Sequence, residues 1–425
     1  MNKFPITKVL SQFSEVFFKN GFHIYVVGGA VRDFLLGIDN HDYDFTTDAT
    51  PQEVIKLFRK VIPTGIKHGT VTVIFKDEKN QNQFFEVTTF RTEGDYKDSR
   101  HPEDVRFVRS LEEDLKRRDF TINALAASLQ TGEIFDYHNG FQDLNKSTIR
   151  CINNAETRFG EDALRMLRAC RFAAKLNFSI ETKTFEAIKL LHKNILNVSQ
   201  ERIKDEMDRL LLSQNPTNGL KLLKASFLLE NIIPELDGPY YTQSLNSVNQ
   251  SSKNNAKLIV RYACLFSNLS RDKEVKNDST STTSSQIANK ILQRLKSSNS
   301  ERKMICHLVS IQHLNYMKEF TSPEVRRMVN KIGFENIETF VSLKKALDEK
   351  FNFRDFQKRI DKMKYPSIQI QDLNINGKDL ASLGIKPGPI YKKLLQSLLN
   401  CVIDDPSENT KERLIQIVQE IKNNS

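Results

Sequence analysis

The 425-residue sequence has no run of about 18 apolar residues, which excludes an ordinary membrane-spanning helix. Its first residues contain no long apolar stretch, so we expect no signal peptide. The pattern of its few cysteines argues against a zinc site or a disulfide framework and predicts a reducing, cytoplasmic location. These cysteines are scattered without C-x-x-C spacing: Cys151, Cys170, Cys264, Cys306 and Cys401.

The composition has a net positive charge and a moderate share of apolar residues. Hydrophobic residues make up 39% and charged residues 27%, as in a globular protein that buries a substantial core. The length predicts about three packed units. The formal net charge of +10 favours a polyanionic partner, although charge alone cannot say which polyanion.

The hydrophobic periodicity changes near residue 150. Before it, β-branched or aromatic runs alternate with helix-like stretches and predict a mixed sheet, with strands at His23–Val27, Thr70–Phe75, Phe84–Phe90 and Val105–Val108. Beyond Glu161, apolar residues recur at helical spacing almost to the C-terminus. The predicted fold class is therefore α+β, a mixed-sheet N-terminal unit followed by helices. Two polar stretches, Ser244–Asn255 and Asp272–Gln286, predict exposed loops.

A pair of glycines follows the first apolar run and precedes a helix-like stretch. Gly28 and Gly29 predict a strand, a tight turn and a helix, with bare backbone N–H groups that can hold a phosphate. Arg32 would add a charge-assisted contact. For the glycine pair taken alone, an ordinary structural turn is the better explanation.

Two aspartates, Asp42 and Asp44, come soon after Arg32. Alternate residues of a strand face the same side, so their carboxylates are predicted to converge. Like charges on one strand face are unfavourable unless a cation joins them, and hard oxygen ligands suit Mg²⁺. Glu86, flanked by apolar residues, is a possible third carboxylate. A solvated turn is the alternative for the Asp-x-Asp tripeptide alone.

The segment Arg117–Asn123 is a second candidate for nucleotide binding. Its two arginines could clamp a triphosphate. Asp119 and Asn123, four apart on a predicted helix face, could read ribose hydroxyls. A helix start capped by Asp119 explains this segment in isolation.

A third candidate is a run of charged residues at every third position of a predicted helix. An aspartate and an arginine on one rigid helix offer a donor–acceptor edge resembling that of a base. A salt-bridged solvent face is the alternative. The members of this stripe are Asp162, Arg165, Arg168 and Arg171.

Together these motifs resemble those of the class II CCA-adding tRNA nucleotidyltransferases, a family of the polymerase-β-like nucleotidyltransferase superfamily. Their order and spacing match over most of the chain, least well over 240–365. The matching segments are Gly28–Asp33, Asp42–Asp44, Gly65–Thr70, Thr89–Glu93, Arg117–Ala124, Glu161–Phe172, Asn376–Leu380 and Pro387–Pro389.

The resemblance implies template-independent addition of CCA to the 3′ end of tRNA from CTP and ATP, with Mg²⁺ as cofactor and pyrophosphate as product. It also implies a role for each matching residue. Asp42 and Asp44 would hold the catalytic metals, and Gly29 and Arg32 the triphosphate. The incoming nucleotide would be contacted at its sugar and phosphates by Arg118, Asp119 and Asn123, and at its base by Asp162 and Arg165, with Arg168 and Arg171 in support.

The family's architecture implies a catalytic head over 1–150, a helical neck over 151–215 with the base-reading helix, a helical body over 216–365 and a tRNA-binding tail over 366–425. The charged segment Arg91–Val108 would be the flexible loop that helps to switch from C to A addition. The dispersed histidines predict no added phosphohydrolase module.

Three other functions stay open from the sequence. Bacterial poly(A) polymerases share the Arg-Arg-Asp and Glu-Asp motifs, although the segments Lys67–Thr70 and Glu93–Arg100 favour the tRNA enzyme. A specialised A-adding or CC-adding enzyme is a second alternative. A non-catalytic RNA-binding protein is the third, against which the intact Asp42 and Asp44 argue. No membrane or obligate protein partner is implied.

Overall fold

The computed structural model describes residues 3–40, 42–77, 79–93, 105–270, 283–348 and 351–423. The chain forms two compact units, Met1–Asp237 and Gly238–Ser425. Every described strand lies in the first unit, and the second is helical. The predicted α+β fold class, a mixed sheet followed by helices, is confirmed.

The strands are β1 (Ile24–Val27), β2 (Asp44–Thr47), β3 (Val61–Gly65), β4 (Thr70–Lys76), β5 (Asn82–Thr89), β6 (Arg91–Glu93), β7 (Val105–Phe107), β8 (Leu125–Ser128), β9 (Ile134–Asp136), β10 (Thr148–Ile149) and β11 (Ser179–Ile180). The α-helices of the first unit are α1 (Lys8–Lys19), α2 (Gly29–Leu35), α3 (Pro51–Leu57), α4 (Leu111–Lys116), α5 (Gly140–Asn145), α6 (Ala155–Glu161), α7 (Leu164–Leu176), α8 (Thr182–Leu191), α9 (Gln200–Leu211), α10 (Pro216–Ala225) and α11 (Leu228–Ile232). Those of the second unit are α12 (Tyr241–Lys253), α13 (Leu258–Phe266), α14 (Ser284–Arg294), α15 (Asn299–Ile311), α16 (Ser322–Ile332), α17 (Ile337–Leu347), α18 (Phe353–Asp361), α19 (Gly377–Ser382), α20 (Pro389–Asp404) and α21 (Lys411–Asn423).

Seven strands form one sheet in the order β3-β4-β5-β2-β1-β8-β9. Strands β2 and β5 are parallel, and the other neighbours are antiparallel. One face of the sheet is covered by α1, whose Phe13 ring lies 4.7 Å from the ring centroid of Phe85 and 5.2 Å from that of Phe45. Because side chains alternate between faces, Asp44 and Glu86 point to the opposite face.

Helix α10 packs closely on α7 within the first unit. A Cβ atom added to Gly219 would lie 2.9 Å from the Cβ of Ala174, so no larger residue fits there without a shift of the helices. The sequence predicts a boundary at residue 215, but the first compact unit continues past it to Asp237. The four-part division of the chain stays a prediction.

The prediction of a loop over Ser244–Asn255 is wrong, because most of this stretch belongs to α12. Its serines recur on a buried helix face with Leu245 and Val248. Buried Ser251 satisfies its hydroxyl by donating to the carbonyl of Val248 at 2.7 Å. A helix with serines on its buried face has a composition similar to that of a polar linker. The second polar stretch falls mostly outside the described residues, and α14 begins within it at Ser284.

Among the described residues, two hydrophobic clusters lie in the C-terminal part of the second unit. One is formed by α16 to α18 around Phe340 and Phe356, and the other by α19 to α21 around Leu380 and Leu398. Within the described ranges, no helix is both long and apolar enough to cross a membrane.

One buried arginine joins these two clusters. The guanidinium of Arg326 on α16 donates to the carbonyls of Ile403 at 2.7 Å and Asp404 at 3.0 Å, at the C-terminal end of α20. These carbonyls have no partner within their own helix, so the arginine acts as a C-terminal cap.

We expect Arg326→Ala to destabilise the second unit by about 2–4 kcal/mol, because it removes two charge-assisted hydrogen bonds and leaves the buried carbonyl of Ile403 unpaired. Arg327→Ala is the matched control, since Arg327 is half exposed and forms a surface ion pair with Asp404 that is worth about 0–1 kcal/mol. Chemical unfolding of the full chain would measure both. Equal effects of the two substitutions would contradict the capping role.

Candidate active site

The predicted strand, turn and helix around the glycine pair are confirmed. Strand β1 ends at Val27, and Gly28 turns the chain with a φ of +67°, in the left-handed region that favours glycine. Helix α2 then begins at Gly29. In the sheet register Val27 lies opposite Asp44, so the glycine turn is placed beside the first residue of β2.

Asp42 and Asp44 do not occupy one strand as the sequence predicts. Strand β2 begins at Asp44, while Asp42 precedes it and its backbone N–H donates to Asn40 Oδ1 at 2.8 Å. The two side chains still interact. Removal of water from around Asp44 raises the pKa of its carboxyl group, Arg118 opposes this rise, and the charge of Asp42 adds to it.

Glu86 is the register partner of Asp44 across the parallel β2–β5 pair. Desolvation raises the pKa of Glu86, and the charges of Asp44 and Asp42 raise it further. The three carboxylates therefore repel one another, the situation that a cation relieves. In the part of the chain that the structure describes, no group of three or more His, Cys, Asp or Glu side chains is close enough to hold a metal ion.

Arg118 lies over the glycine turn. A Cβ atom on Gly28 would be 3.3 Å from Arg118 Nη1, so the absence of a side chain there lets the guanidinium approach the backbone. Its Nη2 lies 3.5 Å from the buried Asp114, and its Nε has no hydrogen-bond partner among the described residues. Burial lowers the pKa of Arg118, and Asp114 and Asp44 oppose that effect. A cation with an unused donor thus faces Asp44.

Asp119 and Asn123 come together, but not on an α-helix face as the sequence predicts. Residues Thr121–Asn123 form a single 3₁₀ turn, because Phe120 is drawn into a bridge with Cys151. The Asn123 amide donates to Asp119 Oδ1 at 3.0 Å. Arg168 donates twice to Asp119 Oδ2, at 2.6 and 2.9 Å. Burial alone would raise the pKa of Asp119, but Arg168 outweighs it and holds this pKa at about 2.

Arg32 is almost fully buried, with 2% of its surface exposed. Its guanidinium donates to Asp33 Oδ1 at 2.7 Å and to Asn123 Oδ1 at 2.5 Å. It also lies over the ring of Phe172, 5.2 Å from the centroid. These contacts make Arg32 a support for Asn123 rather than an exposed cation.

The predicted stripe of charges on one helix is interrupted at its first member. Asp162 lies in the break between α6 and α7 with extended backbone geometry, and its Oδ1 accepts from the N–H of Leu164 at 3.1 Å. Its Oδ2 accepts from Arg202 at 2.7 Å. Arg165 follows on α7, and its Nη1 donates to Glu161 at 2.7 Å. The break arises because the Asp162 side chain competes for the backbone donor of the next helix.

Arg168 and Arg171 share an acid that sequence reasoning missed. Glu206 on α9, 3% exposed, pairs with Arg168 Nη1 at 3.3 Å and with Arg171 Nε at 2.5 Å. The Arg171 guanidinium also lies 4.0 Å from the centroid of the Phe172 ring. The only signal in the sequence was a glutamate beside Met207 on the apolar face of a helix.

Two other missed residues organise the predicted ones. Asp114, fully buried, accepts from Arg117 Nε at 2.9 Å and from the Thr46 hydroxyl at 3.2 Å. Arg202 holds Asp162, and its Nη1 is buried without a partner among the described residues. Asp114 and Arg117 stand three apart, the helical ion-pair spacing that could have revealed this contact.

The predicted switching loop, Arg91–Val108, is described only at its ends. Strands β6 and β7 pair there, and residues 94–104 lie outside the described part. Phe107 packs against Gly69, where an added Cβ would come within 2.8 Å of the ring. The loop therefore leaves the sheet beside the Gly65–Thr70 segment.

Comparison with known proteins identifies three family regions. Residues 24–150 match the poly A polymerase head domain, 177–238 a probable RNA and SrmB-binding site of polymerase A, and 279–418 a putative tRNA nucleotidyltransferase domain 2.

Whole-length relatives are more specific than these regions. The CCA-adding enzyme of Lactobacillus delbrueckii is 35% identical over 98% of this chain and 100% of its own. That of Ligilactobacillus salivarius is 37% identical over 93% of this chain and 92% of its own.

A solved structure agrees over the full length. The Bacillus stearothermophilus CCA-adding enzyme in complex with CTP matches with a TM-score of 0.79 and 29% identity, covering 100% of both chains. The Thermotoga maritima enzyme complexed with tRNA shares the fold at a TM-score of 0.60 and 20% identity, over 99% of this chain and 100% of its own. Because the chain has the glycine turn and the paired aspartates and matches these enzymes over its full length, it belongs to the CCA-adding enzymes, the class II tRNA nucleotidyltransferases.

Proposed function

We propose that this protein adds CCA to the 3′ end of tRNA, using CTP and ATP and releasing pyrophosphate. The observation that carries this proposal is the position of Asp44. It stands beside the Gly28 turn, opposite Glu86 and facing the Arg118 guanidinium. One small region thus combines carboxylate oxygens that can bind a metal, a glycine turn that can bind phosphate and an arginine cation. Phosphoryl transfer requires all three.

Asp42 and Asp44 are the residues that we assign to Mg²⁺, with Glu86 beside them. The donor set fits, because it is made of carboxylate oxygens: desolvation raises the pKa values of Asp44 and Glu86, and the charges of the neighbouring carboxylates raise them further. Two carboxylates suit a cation that keeps waters and takes phosphate oxygens as further ligands. When bound, Mg²⁺ would make the 3′-hydroxyl a better nucleophile and neutralise the departing pyrophosphate.

Phosphate and sugar binding would divide between exposed and buried groups. Arg118, whose side chain is 19% exposed, would bind the triphosphate beside the backbone N–H groups of Gly28 and Gly29. Asp119 and Asn123 would meet the sugar from the floor of the site. Arg32, already paired with Asp33, would hold Asn123 in position rather than contact phosphate directly.

Selection of the base is assigned to Asp162 and Arg165. An aspartate accepts from the exocyclic amine that cytosine and adenine share, and an arginine donates to ring nitrogens and carbonyls. Arg202 holds one Asp162 oxygen and the Leu164 N–H the other, so the carboxylate presents its remaining lone pairs in a fixed direction. Arg168 and Arg171 support this helix through Glu206.

The reaction would take place in the cytoplasm, where tRNA is processed. All five cysteines are free thiols in the structure, which suits a reducing compartment. The decisive experiment supplies tRNA transcripts that end before the first C, after one C or after two, with CTP, ATP or both, and sequences the products. Transcripts extended by C alone or by A alone would identify a specialised enzyme, and long A tails a poly(A) polymerase.

We expect Asp44→Asn to reduce nucleotide addition at least about 10³-fold while the melting temperature changes little, because the substitution removes a metal ligand and relieves charge repulsion. Asp39→Asn is the matched control, an exposed aspartate just outside the constellation. Single-turnover incorporation of labelled CTP would measure both. Near-normal turnover of Asp44→Asn would remove the catalytic assignment.

We expect Asp162→Ala to weaken the preference for CTP over UTP by about 10-fold or more, since an unpaired buried polar group costs about 1–3 kcal/mol. Glu156→Ala, an exposed acid on α6, should leave the preference unchanged. Misincorporation assays with all four nucleotides would test this. If Asp162→Ala kept the preference for C over U, Asp162 would have only a structural role and would not read the base.

We expect Glu206→Gln to lower the stability of the first unit by about 2–4 kcal/mol, because Arg168 and Arg171 then keep their buried charges with a weaker partner. Asp205→Asn is the control, since Asp205 and Arg209 form a solvent-exposed pair one residue away. Thermal and urea unfolding of both variants would show the difference. A loss no larger than that of Asp205→Asn would contradict the supporting role of Glu206.

A further inference from the structure

The sheet face that carries Asp44 and Glu86 continues beyond Glu86 to an exposed aromatic ring. Phe84 and Glu86 are alternate residues of β5 and therefore share a face, with their Cα atoms about 7 Å apart. Phe84 is 62% exposed, whereas Phe85 on the opposite face is 5% exposed. Burial in the core accounts for Phe85, whereas the exposure of Phe84 needs a separate explanation.

Neighbouring strands extend this apolar surface. In the β4–β5 register Ile74 stands directly opposite Phe84, and Thr72 opposite Glu86. Ile62 on β3 stands opposite Thr72 and is 42% exposed. Residues directly opposite in antiparallel strands point to the same face, so the three apolar side chains form one patch beside Glu86.

Two lysines border the patch on the side away from the carboxylates. Lys76 lies two residues beyond Ile74 and shares its face, and the carbonyl of Lys60 accepts from the N–H of Ile74 at 3.0 Å. Both lysines are exposed. From Asp44 outward, the face thus runs from acids to an aromatic patch and then to cations.

We propose that this strip, formed by Ile62, Ile74, Phe84, Lys60 and Lys76, holds the unpaired 3′ end of the acceptor RNA, with one base stacked on Phe84. The proposal rests on the proposed function, because the 3′-hydroxyl must then reach Asp44. Single-stranded RNA binds by stacking bases on aromatic side chains while lysines meet its phosphates. A protein partner would not need the strip to lead into the carboxylates.

The first test compares Phe84→Ala, Phe84→Leu and Phe84→Tyr in steady-state C addition to tRNA that lacks CCA. We expect Phe84→Ala to raise KM for tRNA by a factor of about 5 to 150, the loss typical of one stacked base, without changing KM for CTP or the melting temperature. Tyrosine should restore the wild-type KM, and leucine should not, because it offers apolar area without a π-face.

The second test locates the stacked base. Primers carrying one abasic nucleotide at each of the last three positions are assayed with wild-type enzyme and Phe84→Ala. When the abasic nucleotide occupies the stacked position, the wild-type enzyme should already have a raised KM for the primer. Phe84→Ala should then raise this KM no further, as in a double-mutant cycle. Independent, additive losses at all three positions would overturn the stacking proposal.

The third test concerns the lysines. Lys60→Gln with Lys76→Gln should reduce the slope of log affinity against log salt by about 1.4, since each single-strand phosphate contact contributes about 0.7. Lys56→Gln with Lys79→Gln removes the same charge from exposed positions off the strip and should leave the slope unchanged.

The outcomes separate this proposal from the proposed function. Wild-type enzyme that adds no nucleotide to tRNA would refute both. Active wild-type enzyme together with a Phe84→Ala variant of unchanged KM for tRNA would refute the strip alone. If Phe84→Ala instead converted a dimer into a monomer in sedimentation without altering that KM, the patch would be a contact between copies of the chain.

Discussion

A buried network of charged side chains and one amide connects the glycine turn to the helices of the first unit, and it positions the residues of the candidate site. It passes from Arg32 through Asn123 and Asp119 to Arg168 and then to Glu206. Ionised groups taken out of water cost several kcal/mol each unless they are paired. Because each member is paired on both sides, moving one would leave another uncompensated. The network therefore fixes α2 and the segment Asp119–Asn123 against α7 and α9.

This arrangement divides the charged residues into two groups. Arg32, Arg171 and Glu206 are buried and already paired, so their contribution is positional. Asp44 has a raised pKa beside Asp42, and the partly exposed Arg118 faces it without a short hydrogen bond to it. A site that must bind two different nucleotides needs both kinds of residue, since a rigid frame limits where the few adaptable groups can move.

The sequence predicted what depends on local patterning and missed what depends on distant partners. Runs of β-branched and aromatic residues located β1, β4 and β5 within a residue or two, and the glycine pair located the turn. Asp119 and Arg168, by contrast, are 49 residues apart, and no local pattern could reveal that Arg168 would be pulled towards Asp119. The break at Asp162 has a local cause, since its side chain accepts from the Leu164 N–H, but the charge stripe alone does not indicate that contact.

The carboxylates of the site differ in pKa because their partners differ. Arg168 lowers the pKa of Asp119 to about 2, so Asp119 contributes stability that is present above the ordinary aspartate pKa of 3.8 and is lost as the pH falls towards 2. Asp44 has a raised pKa, so its ionised form costs stability, and that cost disappears when a proton or a cation binds. On acidification Asp44 takes up its proton first, while Asp119 is still paired. The Asp119–Arg168 pair thus stays charged through the pH range in which Asp44 takes up its proton.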